Sequence, residues 1–141
     1  MKVLIPVDGS DAARHAAEHA AHLAPDPGAI DVILLNVRNG PEYHGELAPL
    51  DYQALDRAQR EAQQQLLAKA FDHAQRTGLT RVSIDAAQGM AADEIVRVAQ
   101  EKGVDQIVMG THGRSAVGRF FLGSVAQRVI NLAPMPVTVV K

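Results

Sequence analysis

The stretch Lys2–Leu23, KVLIPVDGSDAARHAAEHAAHL, reads as one strand, one turn and one helix in succession. Lys2–Val7 is a short apolar run rich in branched side chains, which predicts a buried strand. Asp8-Gly9-Ser10 has the residue types of a tight turn, and Ser10 is a suitable helix N-cap. The helix that follows, Asp11–Leu23, is rich in alanine, which suggests that it lies close on a sheet. Its small residues are Ala12, Ala13, Ala16, Ala17, Ala20 and Ala21.

Strand and helix signals alternate in the same way to the end of the chain. Four more strands are predicted at Ile30–Val37, Arg81–Ala87, Asp105–Met109 and Met135–Val140. Three more helices are predicted at Asp51–Thr77, Ala91–Lys102 and from Ser124 to about Leu132. The long second helix has an apolar stripe formed by Leu55, Ala58, Ala62, Leu66, Ala70 and Ala74. The alternation indicates an α/β fold, a doubly wound parallel sheet with helices on both faces, built by residues 1–141 as a single domain.

The composition excludes several classes of protein. Of the 141 residues, 47% are hydrophobic and 21% are charged, as in an ordinary globular domain. The chain has no cysteine, which excludes a disulfide scaffold, a thiolate zinc site and a cysteine nucleophile. A net charge of −2 and the lack of tryptophan argue against a nucleic-acid partner. No apolar run approaches the roughly 18 residues of a membrane span, so we expect a cytoplasmic protein with no membrane partner.

The loops that leave the strands are where a doubly wound sheet binds its ligands. They are Asp8–Ser10, Arg38–Leu50, Gln88–Met90 and Gly110–Gly123. The loop Arg38–Leu50 contains several glycines and prolines but no recognisable binding pattern. The last loop is the most informative, because it has four glycines, at positions 110, 113, 118 and 123, between a strand and a helix.

The residue types of this last loop are those of a phosphate cradle. Glycines let a ligand approach the backbone, and the free N–H groups of a helix N-terminus at Gly123-Ser124 attract anions. Arg114 and Arg119 add positive charge, and the Ser124 hydroxyl adds a donor. The spacing is neither that of a Walker A loop nor that of a dinucleotide fingerprint. The alternative is a surface loop in which the glycines cap helices.

The pattern Gly110-x2-Gly113-x9-Gly123-Ser124 resembles the nucleotide-binding motif G-2x-G-9x-G-(S/T) of universal stress proteins. The opening Val3–Ser10 and the ending Ala133–Val140 also resemble that family, so the resemblance covers nearly the whole chain. It implies an adenine nucleotide alpha hydrolase-like fold with a five-stranded parallel sheet in the order 3-2-1-4-5. The switch point then lies between the first and fourth strands.

The resemblance implies ATP as the cofactor, with Mg²⁺ expected beside it but no protein ligand for the metal identified. Asp8 would meet the ribose or adenine side, Pro6 and Val7 would line the adenine pocket with Val37, and Gly89 would border the ribose. Met109 would pack near the nucleoside. The ribose and phosphates would be surrounded by Gly110, His112, Gly113, Arg114, Gly123, Ser124 and Val125.

The resemblance also implies a homodimer through the last strand, Val137, Thr138, Val139 and Val140. A short apolar strand that comes last in the order would lie at the edge of the sheet, and exposed edges are usually covered. The alternative is that the chain's own loops cover it.

Other functional patterns have simpler explanations. His15, His19 and His22 lie on one helical face, as in some metal sites, but the solvated face of an alanine-rich helix is the favoured explanation. Asp8 follows the first strand as a phospho-acceptor would, yet it has no acidic neighbour or suitably placed lysine. His112 has no serine and acid partner for a catalytic triad, so a contact with nucleotide or loop is favoured.

The leading functional hypothesis is an ATP-binding, nucleotide-dependent regulatory module of the stress response, which acts on an unknown protein partner. No catalytic residue is assigned. A second hypothesis is a slow ATPase or self-phosphorylating enzyme with Thr111, Ser115 or Ser124 as acceptor. A third is a nucleotide-free stress or scaffold module in which the glycines are structural.

Overall fold

The computed structural model of the protein describes residues 1–39, 49–111 and 122–141. Its strands are β1 Lys2–Pro6, β2 Asp31–Arg38, β3 Arg81–Gln88, β4 Gln106–Gly110 and β5 Val137–Val140. Its helices are α1 Asp11–Ala20, α2 Pro49–Arg76, α3 Ala91–Glu101 and α4 Ser124–Leu132, with a short 3₁₀ turn at Pro27–Ala29. The predicted succession of strands and helices is therefore confirmed over the described part of the chain.

The five strands form one parallel sheet in the order β3-β2-β1-β4-β5. The chain moves outward from β1 to β3 and then crosses to β4 and β5, so β1 and β4 are neighbours at the point where the direction of winding reverses. This is the predicted doubly wound topology, with its switch point between β1 and β4. β3 and β5 form the two edges.

The core has two layers, one on each face of the sheet. Side chains alternate across a strand, so odd and even positions of β1 enter different layers. Val3, Ile5 and Val7 pack with the small residues of α1 and with Leu67 and Ala74 of α2. Leu4 packs on the other face with residues of α3 and α4. We name these the α1/α2 layer and the α3/α4 layer.

The apolar stripe predicted for α2 is wrong in its first half. Leu55 is 42% exposed, and Ala58 and Ala62 are also exposed, whereas the buried positions of the helix are Gln63, Leu67 and Ala74. The reason is the face that this half of the helix turns toward the sheet. Asp56 and Gln59 contact Arg38 at the end of β2, and Gln63 contacts Asn36. The inner face of this half is therefore polar, and the predicted apolar positions face away from the sheet.

Several predicted boundaries were also wrong. The regular part of α1 ends at Ala20, because the N–H groups of His22 and Leu23 donate to the carbonyl oxygens three residues earlier, in a tight final turn. β5 begins at Val137 rather than Met135, since the flanking Pro134 and Pro136 have no N–H to donate. The expected loop Arg38–Leu50 is shorter, because Arg38 ends β2 and Pro49 begins α2.

Candidate functional site

The ladder of hydrogen bonds between β1 and β4 stops before their carboxyl ends. β1 pairs with β2 up to Pro6 with Leu35, but within the described strands it pairs with β4 only at Val3 with Gln106 and Leu4 with Ile107. Val7 N–H donates to Leu35 O at 2.8 Å, so the preceding residue directs its nitrogen toward β4. That residue is Pro6, which has no N–H and so ends the ladder. β1 and β4 flank the switch point, where the crevice of a doubly wound sheet lies outside the strand ends.

Asp8 enters the turn that follows β1, and its carboxylate is held by the backbone. Asp8 Oδ1 accepts a hydrogen bond from the N–H of Ser10 at 2.9 Å, across Gly9, whose φ is +84°. Ser10 Oγ in turn accepts from Ala13 N–H at 3.3 Å, which confirms Ser10 as the N-cap of α1. The turn thus fixes one carboxylate oxygen at the mouth of the crevice.

Two buried amide side chains hold the end of β1 in place. Asn36 Nδ2 donates to the carbonyl oxygen of Val7 at 2.7 Å. Gln63 Nε2, from α2, lies within hydrogen-bond distance of Asn36 O at 2.9 Å, Asn36 Oδ1 at 3.0 Å and Ala87 O at 3.1 Å. We call the chain from Gln63 through Asn36 to Val7 O the amide relay. The relay connects α2, in which no ligand-binding residue was predicted, to the peptide bond between Val7 and Asp8.

A second polar group lies beside the amide relay at the carboxyl edge of β2 and β3. Arg38, whose side chain is 11% exposed, has Nη1 at 3.0 Å from Asp56 Oδ1 and 3.3 Å from Gln59 Oε1. Its Nη2 donates to Gln88 Oε1 at 3.0 Å. Neither the amide relay nor the contacts of Arg38 were predicted from the sequence. Asn36, a polar residue inside the apolar run of β2, was the one feature that could have indicated the relay.

Gly110, the first glycine of the motif, is required by packing. A Cβ built on it would lie 2.5 Å from the Cβ of Ala12 and 2.7 Å from the Ala12 carbonyl carbon. Real Cβ atoms essentially never approach other heavy atoms below 3.0 Å. The first turn of α1 therefore lies directly against the end of β4, and only glycine fits there.

The N-terminus of α4 lies next to the end of β4. Gly123 is its N-cap and donates from its N–H to Thr111 O at 2.6 Å, and within the described residues no side chain caps the helix. Ser124 and Val125, in the first turn, are exposed. Uncapped N–H groups and the positive end of the helix dipole form a site that favours an anion.

Gly89 lies at the end of β3, where its N–H donates to Arg38 O at 2.9 Å. Its φ of +144° is outside the range that other residues readily adopt, and a Cβ there would approach Glu94 Cγ to 3.1 Å. Gly89 is thus needed for the turn into α3.

The structure brings several of the described candidates to one face of the sheet. Val37 and Met109 pack in the α3/α4 layer, and strand alternation places Pro6 on that same face, whereas Asp8 lies in the turn after β1. Val7 is the exception, since its side chain packs in the α1/α2 layer and only its backbone reaches the crevice. His112, Gly113 and Arg114 lie outside the described residues.

The histidines of α1 form no metal cluster. His15, His19 and His22 are exposed, and His22 Nδ1 lies 2.8 Å from Glu18 O. Throughout residues 1–39, 49–111 and 122–141, no three His, Cys, Asp or Glu side chains are placed to hold a metal ion together. Among those same residues, no helix is long and apolar enough to cross a membrane.

Comparison with known proteins gives one consistent result. The model of the universal stress protein family matches residues 1–141. Universal stress protein MJ0531 of Methanocaldococcus jannaschii is 37% identical over 140 residues, covering 99% of this chain and 81% of its own. Universal stress protein YxiE of Bacillus subtilis is 33% identical, covering 99% of this chain and 98% of its own.

Solved structures share the fold. The structure of MJ0577 superposes with a TM-score of 0.79 and 31% identity, covering 99% of this chain and 94% of that one. A universal stress protein in complex with cAMP superposes with a TM-score of 0.74 at 23% identity, covering 99% and 95% of the two chains.

Proposed function

The chain belongs to the universal stress protein family, and we propose that it binds ATP in the crevice between β1 and β4 and acts as a nucleotide-dependent regulatory module. The observation that carries the proposal is the N-terminus of α4, which no described side chain caps and which lies beside the end of β4 at the switch point. Asp8, whose carboxylate accepts from the Ser10 N–H, follows β1 at the same edge of the sheet. A protein of the same fold has been solved with cAMP.

The crevice offers a different chemistry for each part of the nucleotide. Pro6, Val37 and Met109 provide apolar surface for the adenine, and the Asp8 carboxylate can accept hydrogen bonds from ribose hydroxyls. The N–H groups of the first α4 turn and the Ser124 hydroxyl suit the phosphate oxygens. Mg²⁺ is expected to arrive with the triphosphate, whose oxygens are ligands that it prefers.

The motif residues outside the described part of the chain complete this proposal. His112, Gly113 and Arg114 fall between two described residues, Thr111 and Gly123, that are joined by a hydrogen bond. Thr111 and Gly123 are therefore adjacent at the end of β4. We propose that the backbone of the motif residues between them and the Arg114 side chain surround the phosphates.

We also propose that the protein dimerises through β5. This strand forms an edge of the sheet, and each of its residues stays partly exposed in the single chain. Pairing with a second copy would cover these side chains and the outward-facing N–H groups. The expected cytoplasmic location and a downstream protein partner stay predictions.

The nucleotide carried by the purified protein tests the proposal directly. The protein is denatured, and the supernatant is separated by chromatography. Co-purified ATP, or a melting temperature that rises with added ATP, supports a binding module. ADP formed with phosphate release, or a phosphorylated chain, supports the slow enzyme instead. No nucleotide and no shift in melting would contradict both.

Gly113→Val tests whether this glycine of the motif lies against the phosphates. Its side chain is expected to fill space that a phosphate needs, so calorimetry should show ATP affinity at least tenfold weaker, which corresponds to about 1.4 kcal/mol. Gly118→Val is the control, because Gly118 lies in the same loop but outside the motif. Equal affinities for the two variants would count against a phosphate site at Gly113.

A further inference from the structure

A groove of about 650 Å³ lies between α1 and α2, on the face of the sheet away from the nucleotide crevice. Val7 and Leu34, buried residues of the α1/α2 layer, lie beneath it. Its accessible apolar surface comes from Ala62, Leu66 and Ala70. The groove exists because the helices face each other here with small side chains, Ala13 and Ala17 on α1 and Ala70 on α2. Its volume is within the range of roughly 300–1,000 Å³ that is typical of small-molecule sites.

The walls of the groove carry an excess of positive charge. Arg14, Lys69 and Arg76 line it, whereas Asp72 is its one carboxylate among the residues that the structure describes. Arg14 has an exposed partner in Asp11 at 3.4 Å. Lys69 and Arg76 form no ion pair with any described residue. This local excess contrasts with the net charge of −2 of the whole chain.

His73, which lines the same groove, carries an unsatisfied polar atom. Its Nε2 is buried and has no hydrogen-bond partner, the one such side-chain atom in the described ranges. The nearest carboxylate oxygen is Glu18 Oε1 at 3.6 Å, beyond hydrogen-bond distance. Buried polar atoms in proteins are nearly always paired, so an orphan of this kind indicates a missing partner.

We propose that this groove binds a small amphipathic anion, a carboxylate with an unbranched apolar chain of medium length. The chain would run between the two helices from Lys69 toward Ala62, over Leu66, and the carboxylate would be held by Lys69 and Arg76, close to His73. The lining residues of α2 run from Ala62 to Arg76, about 21 Å at 1.5 Å per residue, which accommodates an extended chain of that class. The groove opens on the face of the sheet away from the nucleotide crevice, although Gly9 and Ser10 of the turn after β1 also line it.

The negative charge of the carboxylate should make this ligand bind more tightly than a neutral analogue with the same apolar chain. An apolar chain alone gains from the apolar surface of the groove. Only an anion also gains from Lys69 and Arg76, which have no ion pair within the described residues, and from the partly buried imidazole of His73. A second copy of the chain is a less suitable occupant, because Lys69 and Arg76 are exposed cations on the walls and would repel their equivalents.

Titration calorimetry with octanoate, decanoate, octanol and acetate tests the proposal, at concentrations below those at which the probes self-associate. We expect octanoate and decanoate to bind one per chain, and octanol and acetate to bind at least tenfold more weakly. The double variant Lys69→Gln with Arg76→Gln should weaken decanoate about tenfold. Arg57→Gln is the control, since Arg57 is an exposed cation of α2 outside the groove.

A second variant locates the bound ligand. Ala62 lines the groove yet is exposed, so Ala62→Phe should leave the fold intact and block decanoate while ATP affinity stays unchanged. The proposal is overturned if octanol binds as tightly as octanoate, or if the charge variants have no effect. It is also overturned if ATP displaces decanoate, or if Ala62→Phe changes the oligomeric state instead of ligand binding.

Discussion

Gly110→Ala is expected to destabilise the protein even in the absence of nucleotide. The added Cβ would lie 2.5 Å from Ala12 Cβ and 2.8 Å from Ala12 O. Carbon atoms make favourable contact at about 3.5–4.0 Å, so the first turn of α1 must move by roughly 1 Å away from β4. Ala12 belongs to the backbone of a helix that is packed on the sheet, and it cannot rotate away as a flexible side chain could.

The magnitude follows from the cost of overpacking, which is typically about 1–3 kcal/mol. For a domain of this size, each kcal/mol lowers the melting temperature by roughly 3–4 °C, so the expected decrease is about 3–12 °C. Urea denaturation and thermal circular dichroism of nucleotide-free protein provide the measurement.

A double-mutant cycle with Ala12→Gly isolates the contact. Ala12→Gly alone should cost about 1 kcal/mol, because glycine is a poor helix former. It also removes the atom closest to the new Cβ. The double variant should therefore be less destabilised than the sum of the two single variants. If Gly110→Ala weakens ATP binding but leaves the free energy of unfolding unchanged, the glycine serves the ligand and this packing argument is refuted.

Three further substitutions test other parts of the site. Asp8→Ala should weaken adenosine binding in calorimetry while the affinity for inorganic triphosphate changes little, and equal losses would contradict a ribose role. Gln63→Leu should lower the free energy of unfolding, measured by urea denaturation, by about 1–3 kcal/mol, because buried carbonyl groups lose their donor. An unchanged urea midpoint would show that the amide relay does not stabilise the fold. Val139→Pro removes an N–H of β5 that faces away from β4, so light scattering should show a dimer in the parent protein and a monomer in the variant. A variant that stays dimeric would place the interface elsewhere.

The order of elements could be predicted from the sequence because its signals are local. An apolar run, a turn and a capped helix lie within about twenty residues of each other, and Ser10 caps α1 as expected. The sheet order came from family resemblance. These features need no knowledge of distant contacts.

The features that were missed depend on contacts between distant segments. The periodicity of α2 identifies an apolar stripe, but it does not show that Arg38 and Asn36 draw a polar face of the helix toward the sheet, and so Leu55 was misplaced. The amide relay joins residues from β1, β2 and α2, a contact that no spacing predicts. Gly110 was assigned to the ligand because its neighbour, Ala12, lies nearly a hundred residues earlier.

The short ladder between β1 and β4 also makes their junction the one in the described sheet with the fewest paired residues. β2 pairs with β3 over its whole length, whereas the paired residues of β1 and β4 are confined to the amino-terminal end of both strands. Amide hydrogens of β4 and β5 should therefore exchange with solvent as one cooperative unit, separately from those of β1 to β3. A ligand that contacts both β1 and β4 would stabilise the junction between these two parts of the sheet. The protein should therefore resist proteolysis in the cell better when that ligand is abundant.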